Sequence, residues 1–148
     1  MIVKLLPAQI TKHWDIIKFG VERSVPPIAG ETPDKINNIL RSLIEESMQC
    51  WASVQVKDDK TLIEGIVLTT VVMDGITGTK SLLVYSIYSF SNESNDMSWI
   101  EANKKFLLYA KGRGCDFVIG YTSNKNIIKF IKRMGGDVTA FIRIPVEI

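Results

Sequence analysis

The chain has 148 residues, of which 46% are hydrophobic and 23% charged, with a formal net charge of +2. That balance is ordinary for one globular domain of residues 1–148 and leaves no room for a low-complexity or linker-dominated protein. The longest apolar runs, such as "GIVLTTVVM", are strand-length and too short to cross a bilayer.

In chain order, "MIVKLL" predicts a short strand ended by Pro7, then a helix with Ile10, Trp14, Ile17 and Val21 on one face. "VPPIAG" stops that helix, because proline removes a donor and restricts its predecessor. In "ETPDKINNILRSLIEES", Thr32 suits an N-cap and Pro33 a first helical turn, with Ile36, Ile39, Leu40, Leu43 and Ile44 as the buried stripe. From Cys50 the period becomes two, and Ala52, Val54 and Val56 mark the inner face of a half-buried strand. "KDDK" turns the chain into "TLIEGIVLTTVV" and "KSLLVYSIYSF", two strands joined by the glycine-containing loop "MDGITGT". Ser98 and Glu101 match a capping box that starts a helix at Trp99, with Ala102, Phe106 and Ala110 inward and Gly112 and Gly114 at its end. "CDFVIGY" reads as a compact buried strand, "NKNIIKFIKRM" as a helix closed by Gly135 and Gly136, and "DVTAFIRIPVEI" as a last strand with Pro145 near its end. The order β-α-α-β-β-β-α-β-α-β predicts an α/β fold: a mixed, mostly antiparallel sheet of about six strands with helices on both faces.

Charge is unevenly spread. Residues 1–98 carry 9 Lys/Arg against 12 Asp/Glu, whereas residues 99–136 net +6 through Lys104, Lys105, Lys111, Arg113, Lys125, Lys129, Lys132 and Arg133. Such a segment attracts phosphates, or simply forms solvated helix faces. Cys50 and Cys115 make neither a disulfide framework nor a metal set, and both suit buried thiols. His13, the only histidine, suits a packing or surface role, and no Cys/His cluster has metal spacing. Trp14, Trp51 and Trp99 suit core anchors. The start, "MIVKLLPAQI", lacks the charged region, long apolar core and cleavage site of a signal peptide, so an intracellular protein is expected.

This element order, with "LLYAKGRGCDFVIGYTSNKNIIKFIKRMGG" near its end, resembles the GNAT superfamily of acyl-CoA-dependent N-acyltransferases. The likeness spans most of the chain in element order and is specific over residues 99–136. Trp99 followed by "YAKGRGCDFVIG" looks like the small GNAT-like proteins of tailed bacteriophages, which would put the chain in a host cytoplasm or a virion. The resemblance implies a V-shaped opening between the strand ending at Phe90 and the strand from Cys115 to Tyr121. Pantetheine of acetyl-CoA or CoA would take the place of a missing ladder there, against Ile87, Tyr88 and Ser89. Its pyrophosphate would rest on amides near Ser94 and Asn95 at a helix start, with Asn124 opening the next helix and Lys125, Lys129 and Arg133 drawing the phosphates. No metal is implied. The other substrate would be an amine.

Two departures from the family pattern stand out. The family's Q/R-x-x-G-x-G/A loop corresponds to "SFSNESNDMSW", which has no glycine and no cation and which carries Glu93 and Asp96. The family tyrosine seven residues after the helix-opening Asn falls on Ile131, so Tyr121 or Tyr88 would have to supply the proton to the leaving thiolate. Glu93 or Glu64, or a water, would serve as base. The residues therefore leave open an N-acetyltransferase with a variant loop, an inactive GNAT-fold accessory or interaction module with a protein partner or a second copy, and, less favoured, a nucleic-acid binder using residues 99–136.

Overall fold

The computed structural model describes residues 1–30, 32–90 and 96–147, the side chains of 96–99 excepted. Five strands form one sheet in the order β1-β2-β3-β4-β5: β1 Ile2–Lys4, β2 Met48–Lys57, β3 Lys60–Met73, β4 Lys80–Ser89 and β5 Phe117–Gly120. The first four pair antiparallel, and β5 joins β4 in parallel. Among the described residues there are five helices: α1 Pro7–Lys12, α2 Trp14–Glu22, α3 Lys35–Ile44, α4 Asp96–Gly112 and α5 Lys125–Arg133; side chains of the first four pack against the sheet. The α/β class and the mixed sheet are as expected, as is the element order up to α5 except that the first helix is split in two. The sixth strand is absent among the described residues. Residues 137–147 form no ladder with β5, and Ile142, Ile144 and Val146 stand exposed.

Two apolar layers hold the sheet. On one face Ile10, Ile17, Val21, Ile39 and Leu43 pack on Cys50, Ala52, Ile66 and Leu68. On the other, Ala102, Phe106 and Ala110 of α4 pack on Ile2, Trp51, Val67 and Leu82. Because both faces are covered, β2 is buried at every position from Met48 to Ala52 instead of alternating, and Val56, expected inside, is 67% exposed beyond the helices. A buried polar chain crosses the α4 face. Trp51 Nε1 donates to Thr69 Oγ1 at 2.9 Å, and Thr69 Oγ1 donates to Gln49 Oε1 at 2.9 Å.

The helix ends differ from expectation in instructive ways. The single first helix is broken at His13, after Thr11 Oγ1 donates back to the Pro7 carbonyl, a bond that bends helices. α3 starts at Lys35 rather than at Pro33, because the Lys35 amide first closes a turn onto the Thr32 carbonyl, and Ile44 in its last turn is exposed. α4 begins at Asp96, three residues before Trp99, and Glu101 is not reserved for a cap. Its Oε1 accepts from Ile2 N at 3.0 Å, while Lys105 Nζ, one turn on, donates to the Ile2 carbonyl. The pair satisfies both backbone groups of the edge strand β1 and so blunts that edge. The Asp58–Asp59 turn, both residues at positive φ, is a two-residue hairpin.

Candidate functional site

The β4–β5 ladder is short. It registers Ser81 with Phe117, Leu82 with Val118, Leu83 with Ile119 and Val84 with Gly120, and then stops. β4 nonetheless runs on to Ser89, still paired with β3. Two local features mark the end of this ladder. On the β4 side, Thr69 pairs with Val84 and Leu68 with Ser86, so Tyr85 is an extra residue, a β-bulge placed where pairing with β5 ends. A bulge bends its strand and sharpens the twist. On the β5 side, Thr122 Oγ1 accepts from Asn124 N at 3.1 Å, which turns the chain out of the sheet and into α5. The opposite end is clamped. Lys80 N donates to Asp116 Oδ2, Asp116 N donates to the Lys80 carbonyl at 2.8 Å, and Lys80 Nζ donates to the Arg113 carbonyl at 2.8 Å. β4 therefore runs past the end of β5, the Lys80–Asp116 end of the ladder is clamped, and these parallel strands lead into α4 and α5.

The expected site residues distribute unevenly around the end of this ladder. Ile87, Tyr88 and Ser89 lie on β4 beyond the residues that pair with β5. Tyr88 is half-buried against Phe90, with ring centroids 5.1 Å apart, and against Phe19 of α2 at 6.1 Å, so its ring packs between helix and strand. Tyr121 is the first residue after β5; it is 39% exposed and its ring meets Phe141 edge-on at 5.1 Å. Asn124 caps α5, its Oδ1 accepting from Asn126 N at 2.9 Å and Ile127 N at 3.3 Å. Lys129 is exposed on α5. Ile131, where the family places tyrosine, is half-buried on the same helix. Glu64 is the extra residue of a second bulge, opposite Ser53 and Val54, and its carbonyl accepts from Phe90 N at 2.8 Å. Glu93, Ser94 and Asn95 lie outside the described residues, as do the side chains of Asp96, Ser98 and Trp99. β5, expected to be buried, is open on one face, with Phe117 60% exposed.

Sequence reasoning missed Tyr85 and Ser86. Alternation alone hides a bulge, and only the register count shows that both residues turn toward the α1–α3 side. Tyr85 is half-buried and burial raises its phenol above the ordinary value, so the hydroxyl stays protonated. It lines a cavity of about 320 Å³ with Ala29, Thr32, Asn38 and Ser42. Ser86 Oγ is buried and without a hydrogen-bond partner, an exception among buried polar groups. The thiols carry no chemistry of this site: Cys50 is fully buried, which pushes it up to about 12. Among the described residues, no three His, Cys, Asp or Glu side chains stand together as a metal set, and no helix is long and apolar enough to cross a membrane. Within the basic segment, Lys105 is spent on the Ile2 carbonyl and Arg113 Nη1 on the Tyr109 hydroxyl at 2.9 Å.

No family model and no curated protein matches the sequence. Solved structures do match the fold. A probable acetyltransferase superposes with a TM-score of 0.68 at 12% identity, covering 100% of this chain and 97% of its own. Glucosamine-6-phosphate N-acetyltransferase from Arabidopsis thaliana gives 0.67 at 13% identity over 99% and 97%. Aminoglycoside N-acetyltransferase AAC(6')-Iy in complex with CoA gives 0.67 at 12% identity over 99% and 93%. The chain therefore has the GNAT fold, in a five-stranded form.

Proposed function

We propose that the chain is an acyl-CoA-dependent N-acyltransferase that moves an acetyl group from acetyl-CoA to an amine. The observation that supports this reading is that the β4–β5 ladder ends at Val84 and Gly120 while β4, bulged at Tyr85, continues paired with β3 to Ser89. Such an arm offers an extended group a place in the ladder. The arm suits pantetheine, which is narrow and carries amides; Ile87, Tyr88 and Ser89 would border it. Lys125, Lys129 and Arg133 would draw the phosphates electrostatically. When bound, the cofactor supplies an activated thioester. The rest falls to this chain. Glu93, or a water, would take the proton of the attacking amine, and Tyr121 would give a proton to the departing thiolate sulfur. The amine nitrogen would form its bond to the acetyl carbon as the bond from that carbon to sulfur breaks. The amine would enter beside Tyr85, where Thr32, Asn38 and Ser42 give the 320 Å³ cavity a polar wall.

A second reading has its own support. Asn124 Oδ1 already takes two of the first amides of α5, and Glu93 and Asp96 place carboxylates in the sequence where the family docks an anion. On that reading the fold is kept as an interaction module, including the phage accessory or virion role that the narrower resemblance implies. Calorimetry and thermal unfolding with acetyl-CoA separate the two. At a concentration 100 times the dissociation constant a native-state ligand stabilises by about 2.7 kcal/mol, which the melting curve shows plainly. Binding together with thiol release in the presence of amines supports the enzyme. No heat and no shift at millimolar acetyl-CoA refute it and leave the module.

A further inference from the structure

A second cavity, of about 160 Å³, opens at the start of β2, between the end of α3, the turn from β1 into α1 and the last turn of α4. It lies at the opposite end of α4 from the helix start where a cofactor pyrophosphate is expected, about 25 Å away along 17 residues. Its charges are not matched against one another. Lys4 Nζ lies 5.6 Å and Arg113 Cζ 5.7 Å from the centroid of the same Tyr109 ring. Arg113 gives one of its five N–H groups to the Tyr109 hydroxyl. Two cations are thus gathered on one ring, and neither makes an ion pair among the described residues. Glu46 lines the same cavity, and its carboxylate is likewise in no ion pair. A buried donor faces these charges. Gln49 is 6% exposed and lines the cavity. Its Oε1 accepts from Thr69, which the Trp51 indole holds in turn. The planar amide therefore turns Nε2 away from Thr69, and Nε2 donates to no protein group among the described residues. Unlike Ser86 Oγ, it is not sealed in protein, so it faces the cavity. Buried amide groups ordinarily have partners.

We propose that this cavity binds a small zwitterion of the α-amino-acid class, its carboxylate held by Lys4, Arg113 and Gln49 Nε2 and its ammonium by Glu46. The donors suit a carboxylate: a guanidinium offers paired N–H groups in a fork, and the Lys4 ammonium and the Gln49 amide supply the remaining bonds. Glu46 selects for an ammonium on the same molecule, because a simple anion meets it as a like charge. The size agrees. A cavity of about 150 Å³ holds one benzene molecule, and alanine has the same number of non-hydrogen atoms. The Trp51–Thr69–Gln49 chain fixes the amide before any ligand arrives, so the buried donor is already in place. This site is separate from the transfer chemistry and stands whether or not the chain is an acyltransferase.

Nitrogen-15 NMR on the full chain tests this, with L-alanine, L-serine, acetate, ethylamine and inorganic phosphate each added at neutral pH to about 20 mM. Alanine and serine are expected to move the Gln49 side-chain amide and the backbone amides of Leu5, Gln49 and Arg113 saturably, and to leave residues 87–89 in place. Acetate and phosphate are expected to bind about tenfold more weakly, and ethylamine not to bind. Arg113→Gln and Lys4→Gln change exposed side chains, so the fold, checked by circular dichroism, is kept while alanine binding weakens by about tenfold or more in each. Glu46→Gln is expected to remove the preference for alanine over acetate. No saturable shift with alanine or serine overturns the proposal, as does acetate or phosphate binding as tightly as alanine. Alanine binding that survives Arg113→Gln combined with Lys4→Gln, or that moves residues 87–89 instead, also overturns it.

Discussion

Replacing Thr69 by valine tests whether the buried polar chain under α4 stabilises the fold. Thr69 is fully buried, and its Oγ1 is the middle atom between the Trp51 indole and the Gln49 amide, both bonds being 2.9 Å. Valine keeps the β-branched shape, so no cavity opens and the strand preference of β3 is unchanged. What changes is hydrogen bonding: Trp51 and Gln49 are each 6% exposed, and each loses its bond to Thr69. A donor or acceptor left unmade in that way costs about 1–3 kcal/mol, and the gain from burying a methyl in place of a hydroxyl offsets part of the two. The net expectation is a loss of about 2–3 kcal/mol, which for a chain of this size lowers the melting temperature by roughly 6–10 °C. Urea unfolding should show the same loss in midpoint with an unchanged slope. A Thr69→Val protein melting within about 2 °C of wild type would refute the view that this chain of bonds is stabilising.

Other consequences are open to direct measurement. Ellman's reagent should titrate Cys115 readily and leave Cys50 untouched until the protein unfolds, since burial holds the Cys50 thiol protonated up to about 12. Converting the Asp58–Asp59 turn, both residues at positive φ, to Asn-Gly should raise stability by about 1 kcal/mol in chemical denaturation. Asp74 accepts from Ile76 N and Thr77 Oγ1, which hold its carboxyl below the ordinary range. Its contribution is therefore present above the unfolded carboxylate value and is lost as pH falls through the folded one, so Asp74→Ala should lower the melting temperature at pH 7 and converge with wild type in acid. A Cβ at Gly65 would lie 3.0 Å from the Tyr88 carbonyl, so Gly65→Ala should both destabilise the protein and weaken acetyl-CoA binding, because the displaced backbone belongs to the β4 arm.

Much of the fold was legible because period and punctuation agree along most of the chain. Ile10, Ile17 and Val21 line one side at helical spacing, Asn124 reads as a cap and is one, and the "MDGITGT" loop falls between two registered strands. Three features were not legible, each for a physical reason. Alternation in β2 is masked where helices cover both faces. Glu101 matches a capping box, yet the edge strand β1, 99 residues away in the chain, claims its carboxylate. "DVTAFIRIPVE" has a strand's pattern without a strand's partner, and pattern alone does not supply one. Site residues were harder still. The position of the site followed from the resemblance, but the bulge beside it depends on a register count between β3 and β4, which one sequence does not contain.

The two bulges together shape the strands beside the end of the β4–β5 ladder. Glu64 adds a residue to β3 against β2, and Tyr85 adds one to β4 against β3. Successive strands toward β5 are thus bent by successive insertions, and each insertion adds right-handed twist. β5 receives no matching insertion; it is four residues long and leaves the sheet at Gly120 through the Thr122 turn. All four residues of β5 pair with β4, so the ladder runs from the Lys80–Asp116 clamp to Val84 and ends where β5 ends. The Phe90 amide, held by the Glu64 carbonyl at 2.8 Å, fixes the far end of the bent arm to β3.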